Sequence, residues 1–231
     1  MSLKRKYGDY LFISKKCLKS GGKEKKPKKA ESSDDESEGG ENPLLKLSSR
    51  DEKIERYDNH IYFYSEVSRD SIFELNILIK EVEEENILTA HKLNIEEIPI
   101  YLHINSYGGS VFNGFAAIDV IQSCKVPIYT IIEGCAASAA TLMSIVGKKR
   151  YIRPNAYMLI HQLSSGCWGK MNEIEDEYEN LKELMNNIKR IYTENAKIPK
   201  KELAEVLKHD LWWNPDKCMS LGLVDELWTG K

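Results

Sequence analysis

A single serine, Ser138, lies among the smallest side chains in the stretch EGCAASAATL. Cys135, Ala136 and Ala137 precede it, and Ala139 and Ala140 follow it. Two readings of that setting stand. A small-residue helix face can press closely against a neighbouring element, with the serine as one more small side chain. Alternatively, a substrate backbone approaches closely and the hydroxyl stands clear as a nucleophile. Further residues bear on the choice. At Gly108–Gly109 the chain can take turns and close approaches closed to other residues. The amides of Gly109 and Ala139, if brought near the serine, have the chemistry of an oxyanion hole. His161 has the residue type of a general base. A Gly–Gly turn or a lone histidine has an ordinary structural explanation, so their joint placement decides.

That placement follows from a repeated pattern. IPIYLHIN reads as a strand, SYGGS as a tight turn and VFNGFAAIDVIQSC as a helix. VPIYTIIE, GCAA and SAATLMSIVG repeat strand, turn and helix, and YMLIHQ forms a third strand before the loop LSSGCWG. The glycine pair, the serine and the histidine each sit at a strand end. In such units ligands collect where strand C-termini meet helix N-termini. Upstream, HIYFYSEV reads as a strand and SRDSIFELNILIKEVEEEN as an amphipathic helix with Ser68 or Asp70 as N-cap. From Lys170 a long helix carries Met171, Ile174, Tyr178, Leu181, Met185, Ile188 and Tyr192 at three- and four-residue steps. LVDELW reads as a closing strand. Strand–turn–helix units in succession predict an α/β fold containing parallel strands.

The first 50 residues differ in kind, running from lysine-rich KSGGKEKKPKKAE to acidic SSDDESEGGENP. Such composition cannot offset its ordering entropy and predicts a disordered tail over 1–50 beside a single domain over 51–231. Within the tail, YGDYLFI is more apolar. A net charge of −3 argues against a general nucleic-acid binder. No apolar run reaches the roughly 18 residues of a membrane span, and the basic N-terminus lacks the apolar core of a secretory signal. Five cysteines (Cys17, Cys124, Cys135, Cys167, Cys218) form no CxxC pair, which suits free thiols in a reducing compartment, the cytoplasm. The histidines lack zinc-ligand spacing, so no metal site is expected.

INSYGGSV, EGCAASAA, PNAYMLIHQ and LGLVDEL occur in an order and spacing that resemble the signature blocks of the ClpP-type serine peptidases, proteolytic subunits of Clp proteases within the crotonase-like superfold. The resemblance runs from about residue 59 to 228. It implies a crotonase-like α/β fold of repeated strand–turn–helix units, with a protruding handle of strand and long helix. Carried over by position, it makes Ser138 the nucleophile, His161 the base and Asp210, in LKHDLWW, the third member. Asp225 matches a structural aspartate and is the weaker candidate. The resemblance further implies the Gly109–Ala139 oxyanion hole and hydrolysis of unfolded polypeptides inside a homo-oligomeric ring, a tetradecamer of two stacked heptamers. It implies an AAA+ unfoldase partner and no metal or organic cofactor.

Departures from the family pattern are local. Tyr107 stands where proline commonly precedes the two glycines. His209 stands where an arginine often ties one ring to the other. Among positions resembling the unfoldase-docking cleft, Tyr101 and Trp228 fit, whereas His103 and Ser123 stand where aromatic rings are more usual. NILTAHKLNIEEIP reads as a surface elaboration. The rival readings are a phage-type head-maturation protease of the same superfold, a non-catalytic ring subunit and a crotonase-type acyl-CoA enzyme, which would need no triad.

Overall fold

The computed structural model describes residues 53–230, so the tail expected at 1–50 lies outside the described residues. Two short antiparallel strands open the fold, β1 (Lys53–Tyr57) and β2 (His60–Tyr64). Then come α1 (Arg69–Leu93), β3 (Ile100–Ser106), α2 (Val111–Ser123), β4 (Ile128–Ala137) and α3 (Ala139–Ile145). β5 (Lys149–Ile152) and β6 (Tyr157–Leu159) precede the long α4 (Met171–Asn195). α5 (Lys200–Val206), β7 (Trp212–Trp213), α6 (Pro215–Ser220) and β8 (Glu226–Leu227) complete the described chain.

Strands β2, β3, β4, β5 and β8 pair in parallel in that order, as the repeated units predict. β4 is long because it serves two partners. Tyr129–Ile132 pair with β5, and Cys135–Ala137 pair with β6. Between these stretches the register with β3 slips, so that Ile104 faces Ile132 but Ser106 faces Ala136. Gly134, at φ 69°, lies within the extra residues of β4. GCAA, expected as a turn, is therefore an irregularity followed by renewed pairing. β6 offers the displaced backbone a fresh ladder, which a chain with buried amides must find.

Alternation along the strands divides the sheet into two faces. Ile61, Phe63, Leu102 and Ile104 enter the core with Leu75 and Ile79 of α1 and with Leu142 and Met143 of α3. The opposite face carries rings: Tyr62 stacks on His103, and Tyr101, Tyr129, Tyr151 and Trp228 meet edge to face or tilted.

Ser68, rather than Asp70, caps α1. Its Oγ accepts the Ser71 N–H at 3.2 Å, and Ser71 Oγ accepts the Ser68 N–H at 2.9 Å. The helix continues past Asn86, where the sequence pattern fades, and stops at Asn94 in the left-handed conformation. Asn86 is buried within it, donating from Nδ2 to the Ile98 carbonyl at 3.1 Å. The segment read as a surface elaboration is thus mostly the last turns of α1. β1, β5, α5, β7 and α6 span seven residues or fewer and show no readable period in the sequence.

α4 carries the expected apolar stripe, but only Ile188, Ile191 and Tyr192 near its end are buried. Met171, Ile174 and Tyr178 remain exposed, so the first half of the helix extends beyond the core as the handle. Residues 160–170 form no strand beside it. Among the described residues no helix is long and apolar enough to cross a membrane. Leu75→Ala, which empties a fully buried position, should lower the unfolding free energy by about 2–5 kcal/mol. Leu88→Ala on the exposed face of the same helix should stay within about 0.5 kcal/mol of the parent. Denaturant titration compares the two, and equal losses would mean that the core face of α1 is misassigned.

Candidate active site

At the end of β4 the chain turns abruptly into α3 through Ser138, which holds φ 57° and ψ −127°. A non-glycine residue persists in that region only when its surroundings hold it there. Here both backbone groups are anchored. The Ser138 N–H donates to the Leu159 carbonyl at 2.9 Å, extending the β4–β6 ladder. Its carbonyl accepts the Thr141 N–H at 3.0 Å and the Thr141 hydroxyl at 2.6 Å. Thr141 Oγ1 also bonds the hydroxyl of Tyr192, which ties α4 to the same turn. Burial pushes the Tyr192 phenol well above its ordinary range, so it stays a neutral hydrogen-bonding group.

The serine Oγ is buried and has no hydrogen-bond partner among the described residues. A Cβ on Gly108 would stand 2.6 Å from the Ala137 carbonyl and 2.7 Å from Ser138 Cβ. The glycine turn therefore lies directly on the serine, and only glycine permits that approach. The close-packing reading of the small-residue setting is met: Ala139 and Ala140 are buried, and Gly114 of α2 lies against Ala139. Gly109 is bridged to Val67 in parallel fashion. The Val67 N–H donates to the Gly108 carbonyl and the Ser110 N–H to the Val67 carbonyl, each at 2.8 Å. A parallel ladder of this kind leaves the amide of Gly109 itself on the opposite side from Val67.

His161 and Asp210 come together through β6 and β7. Their antiparallel register pairs Met158 with Trp213 and Leu159 with Trp212. Continued by two residues, it sets His161 opposite Asp210, and His161 Nδ1 lies 2.9 Å from Asp210 Oδ1. The carboxylate accepts, so Nδ1 carries the proton and Nε2 is the basic nitrogen of the ring. The imidazole is buried, while the aspartate side chain is 52% exposed. Gln162 donates to the Leu207 carbonyl at 2.8 Å and Leu163 to Met185 Sδ at 3.1 Å, strapping the chain beyond His161 to α5 and α4. Asp225 has a different task. It accepts the Arg150 N–H and Nε–H at 3.0 Å each. Burial works to raise its carboxyl, but the Arg150 bonds outweigh it and hold the group below its usual range.

Residues 56–231 match the family model described as Clp protease. The chain belongs to the Clp protease family. It is 35% identical over 131 residues to the ATP-dependent Clp protease proteolytic subunit 2 of Treponema denticola, covering 56% of this chain and 66% of that relative. It is 27% identical over 182 residues to the ATP-dependent Clp protease proteolytic subunit of Deinococcus radiodurans, covering 76% of this chain and 89% of the relative. The Clp-type reading of the sequence, including its α/β fold, is therefore borne out.

This Clp-family chain also holds a polar cluster that sequence reading only touched, through His103. Glu133 Oε2 accepts the Tyr64 hydroxyl at 2.6 Å, and Oε1 lies 3.0 Å from both His103 Nδ1 and Arg153 Nε. His103 Nε2 in turn lies 2.9 Å from His60 Nδ1. Burial would raise the Glu133 carboxyl, but its three hydrogen bonds outweigh that and keep it ionised. Burial pushes the His103 pKa down, so that ring stays neutral. His103 is thus anchored through both ring nitrogens while its ring stacks on Tyr62. Tyr101 and Trp228 do meet, with centroids 5.6 Å apart, whereas exposed Ser123 turns its hydroxyl back to the Asp119 carbonyl.

Gly108→Ala should displace Ser138 and lower kcat by about 100-fold or more, with the thermal midpoint still measurable. Peptide-hydrolysis kinetics check it, and an unchanged kcat would show that the turn does not bear on the serine.

Proposed function

We propose that this protein is a serine endopeptidase in which Ser138 attacks the peptide carbonyl, His161 takes its proton and Asp210 orients the imidazole. The His161–Asp210 hydrogen bond is the observation that carries this reading. As Ser138 Oγ bonds to the carbonyl carbon, its proton passes to His161 Nε2. The imidazolium that results is stabilised by the Asp210 carboxylate. The amides of Gly109 and Ala139 stabilise the oxyanion, each on the order of 3 kcal/mol. The tetrahedral intermediate collapses as His161 returns the proton to the departing amine. Water, deprotonated by the same imidazole, then releases the acyl group and regenerates Ser138. This sequence of steps requires neither a metal nor an organic cofactor.

The substrates in this reading are unfolded polypeptides, cleaved inside a ring of identical subunits, a tetradecamer, in the cytoplasm. The exposed apolar start of α4 supports burial against neighbouring copies. An AAA+ unfoldase is the partner in this reading, which the names of the two relatives support by calling them ATP-dependent. The polar anchoring of His103 favours a docking loop less apolar than usual. Residues 1–50 form a tail separate from the catalytic domain over 51–231.

A fluorophosphonate probe should label Ser138 alone, and Ser138→Ala should abolish peptide hydrolysis. Labelling should persist in a chain that begins at Leu45. Ser106 and Ser144 use their hydroxyls structurally, with the Gly108 N–H and the Thr141 carbonyl respectively. Labelling of either would overturn the assignment, and absence of any labelling would favour a non-catalytic subunit. Light scattering under native conditions should report a large ring, with only weak capture of a generic bacterial Clp ATPase. A monomer would remove the ring, and tight capture would remove the altered docking cleft.

A further inference from the structure

Beside the serine turn lies a cleft of ≈ 320 Å³ lined by Tyr107, Gly134, Cys135, Tyr157 and Trp212. Its position follows from the strands. Alternation along β6 sets Tyr157, Leu159 and, beyond its end, His161 on one face, and Asp210 and Trp212 take the same face of the paired strand. The cleft therefore lies on the face of the imidazole–carboxylate pair. Across it, the rings of Tyr107 and Trp212 meet edge to face, with centroids 6.3 Å apart and planes at 86°. The Cys135 thiol, also in the lining, donates to Asn105 Oδ1 at 3.6 Å.

Each ring is attached to a different part of the site. Tyr107 immediately precedes Gly108, where an added Cβ would stand 2.7 Å from Ser138 Cβ. Trp212 lies two residues beyond Asp210 on the chain that pairs with β6. Both residues are exposed, at 71% and 43%, and neither belongs to the core. Edge-to-face ring pairs have a preferred geometry, which makes such a contact directional. We propose that the Tyr107–Trp212 pair is a positioning clamp that holds the Gly108–Gly109 turn in register with the strand carrying Asp210. This rests on the triad assignment proposed above. Neither residue touches the reacting atoms; they act through the turn and the aspartate.

The test is a double-mutant cycle on the full chain with a short peptide substrate. Tyr107→Leu and Trp212→Leu should each lower kcat about tenfold, with KM within about twofold and the thermal midpoint nearly unchanged. The double variant should lose little more than either single one, because the two act as a unit. Tyr107→Phe, which keeps the ring, should restore most of kcat. Unchanged kcat in the single variants, additive losses in the double one, or a rise in KM alone would each overturn the clamp. Should a leucine variant not fold, Tyr107→Phe against Tyr107→His decides it: full activity in the first and loss in the second supports ring geometry, and equal activity refutes it. Fluorophosphonate labelling of the parent chain separates the two proposals. No label on Ser138 would fail the triad assignment itself, whereas normal labelling with unaffected Tyr107 and Trp212 variants would fail only the clamp.

Discussion

Strand β4 leaves β5 after Ile132 and takes up β6 at Cys135, and the ladder it forms there ends in the bond from the Ser138 N–H to the Leu159 carbonyl. Much of the site depends on that exchange of partners. It holds Ser138 at positive φ, where the chain can turn at once into buried α3. It also brings the serine beside the strand that continues to His161. β7 then pairs on the far side of β6 and delivers Asp210 opposite the histidine. Two short ladders and one irregularity at Gly134 thus bond Ser138 to Leu159, two residues before His161, and set His161 against Asp210. Strands so short contribute little stability alone, so the surrounding core must hold them.

That support reaches the turn through α4. Tyr192 is buried in the core, and its hydroxyl meets Thr141, which caps the carbonyl of Ser138. An unpaired buried hydroxyl costs about 1–3 kcal/mol, so the pair favours one arrangement of the turn. The same helix leaves its first half, with Met171, Ile174 and Tyr178, outside the core. One rigid element therefore runs from the serine turn to the surface proposed as an assembly contact.

The outer sheet face follows a different logic. Burying the Glu133 carboxylate would be costly if it were alone, but Tyr64, His103 and Arg153 satisfy it from three neighbouring segments. Around this anchor the rings of Tyr62, Tyr101, Tyr151 and Trp228 pack against one another. The face is aromatic at its surface and ionic beneath, with its charge neutralised locally.

The sequence alone was enough to reveal the parallel strand–turn–helix units, the Ser68 cap as one of two candidates, the apolar stripe of α4 and the residues at three strand ends. Those signals are local: side-chain period, turn chemistry and small-residue spacing report on a few neighbours at a time. Asp210 became a candidate only through resemblance to a family, because nothing near it in the chain marks it out. Its pairing with His161 is a matter of β6–β7 register across 49 residues. The continuation of β4 through Gly134, the burial of Asn86 inside α1 and the Glu133 cluster were likewise invisible in sequence, since each depends on a hydrogen-bonding partner supplied from elsewhere in the chain. The sequence thus determined which residue types stood ready at the strand ends. Only the tertiary structure decided which of them meet, because long-range ladders, not local preference, set the distances between them.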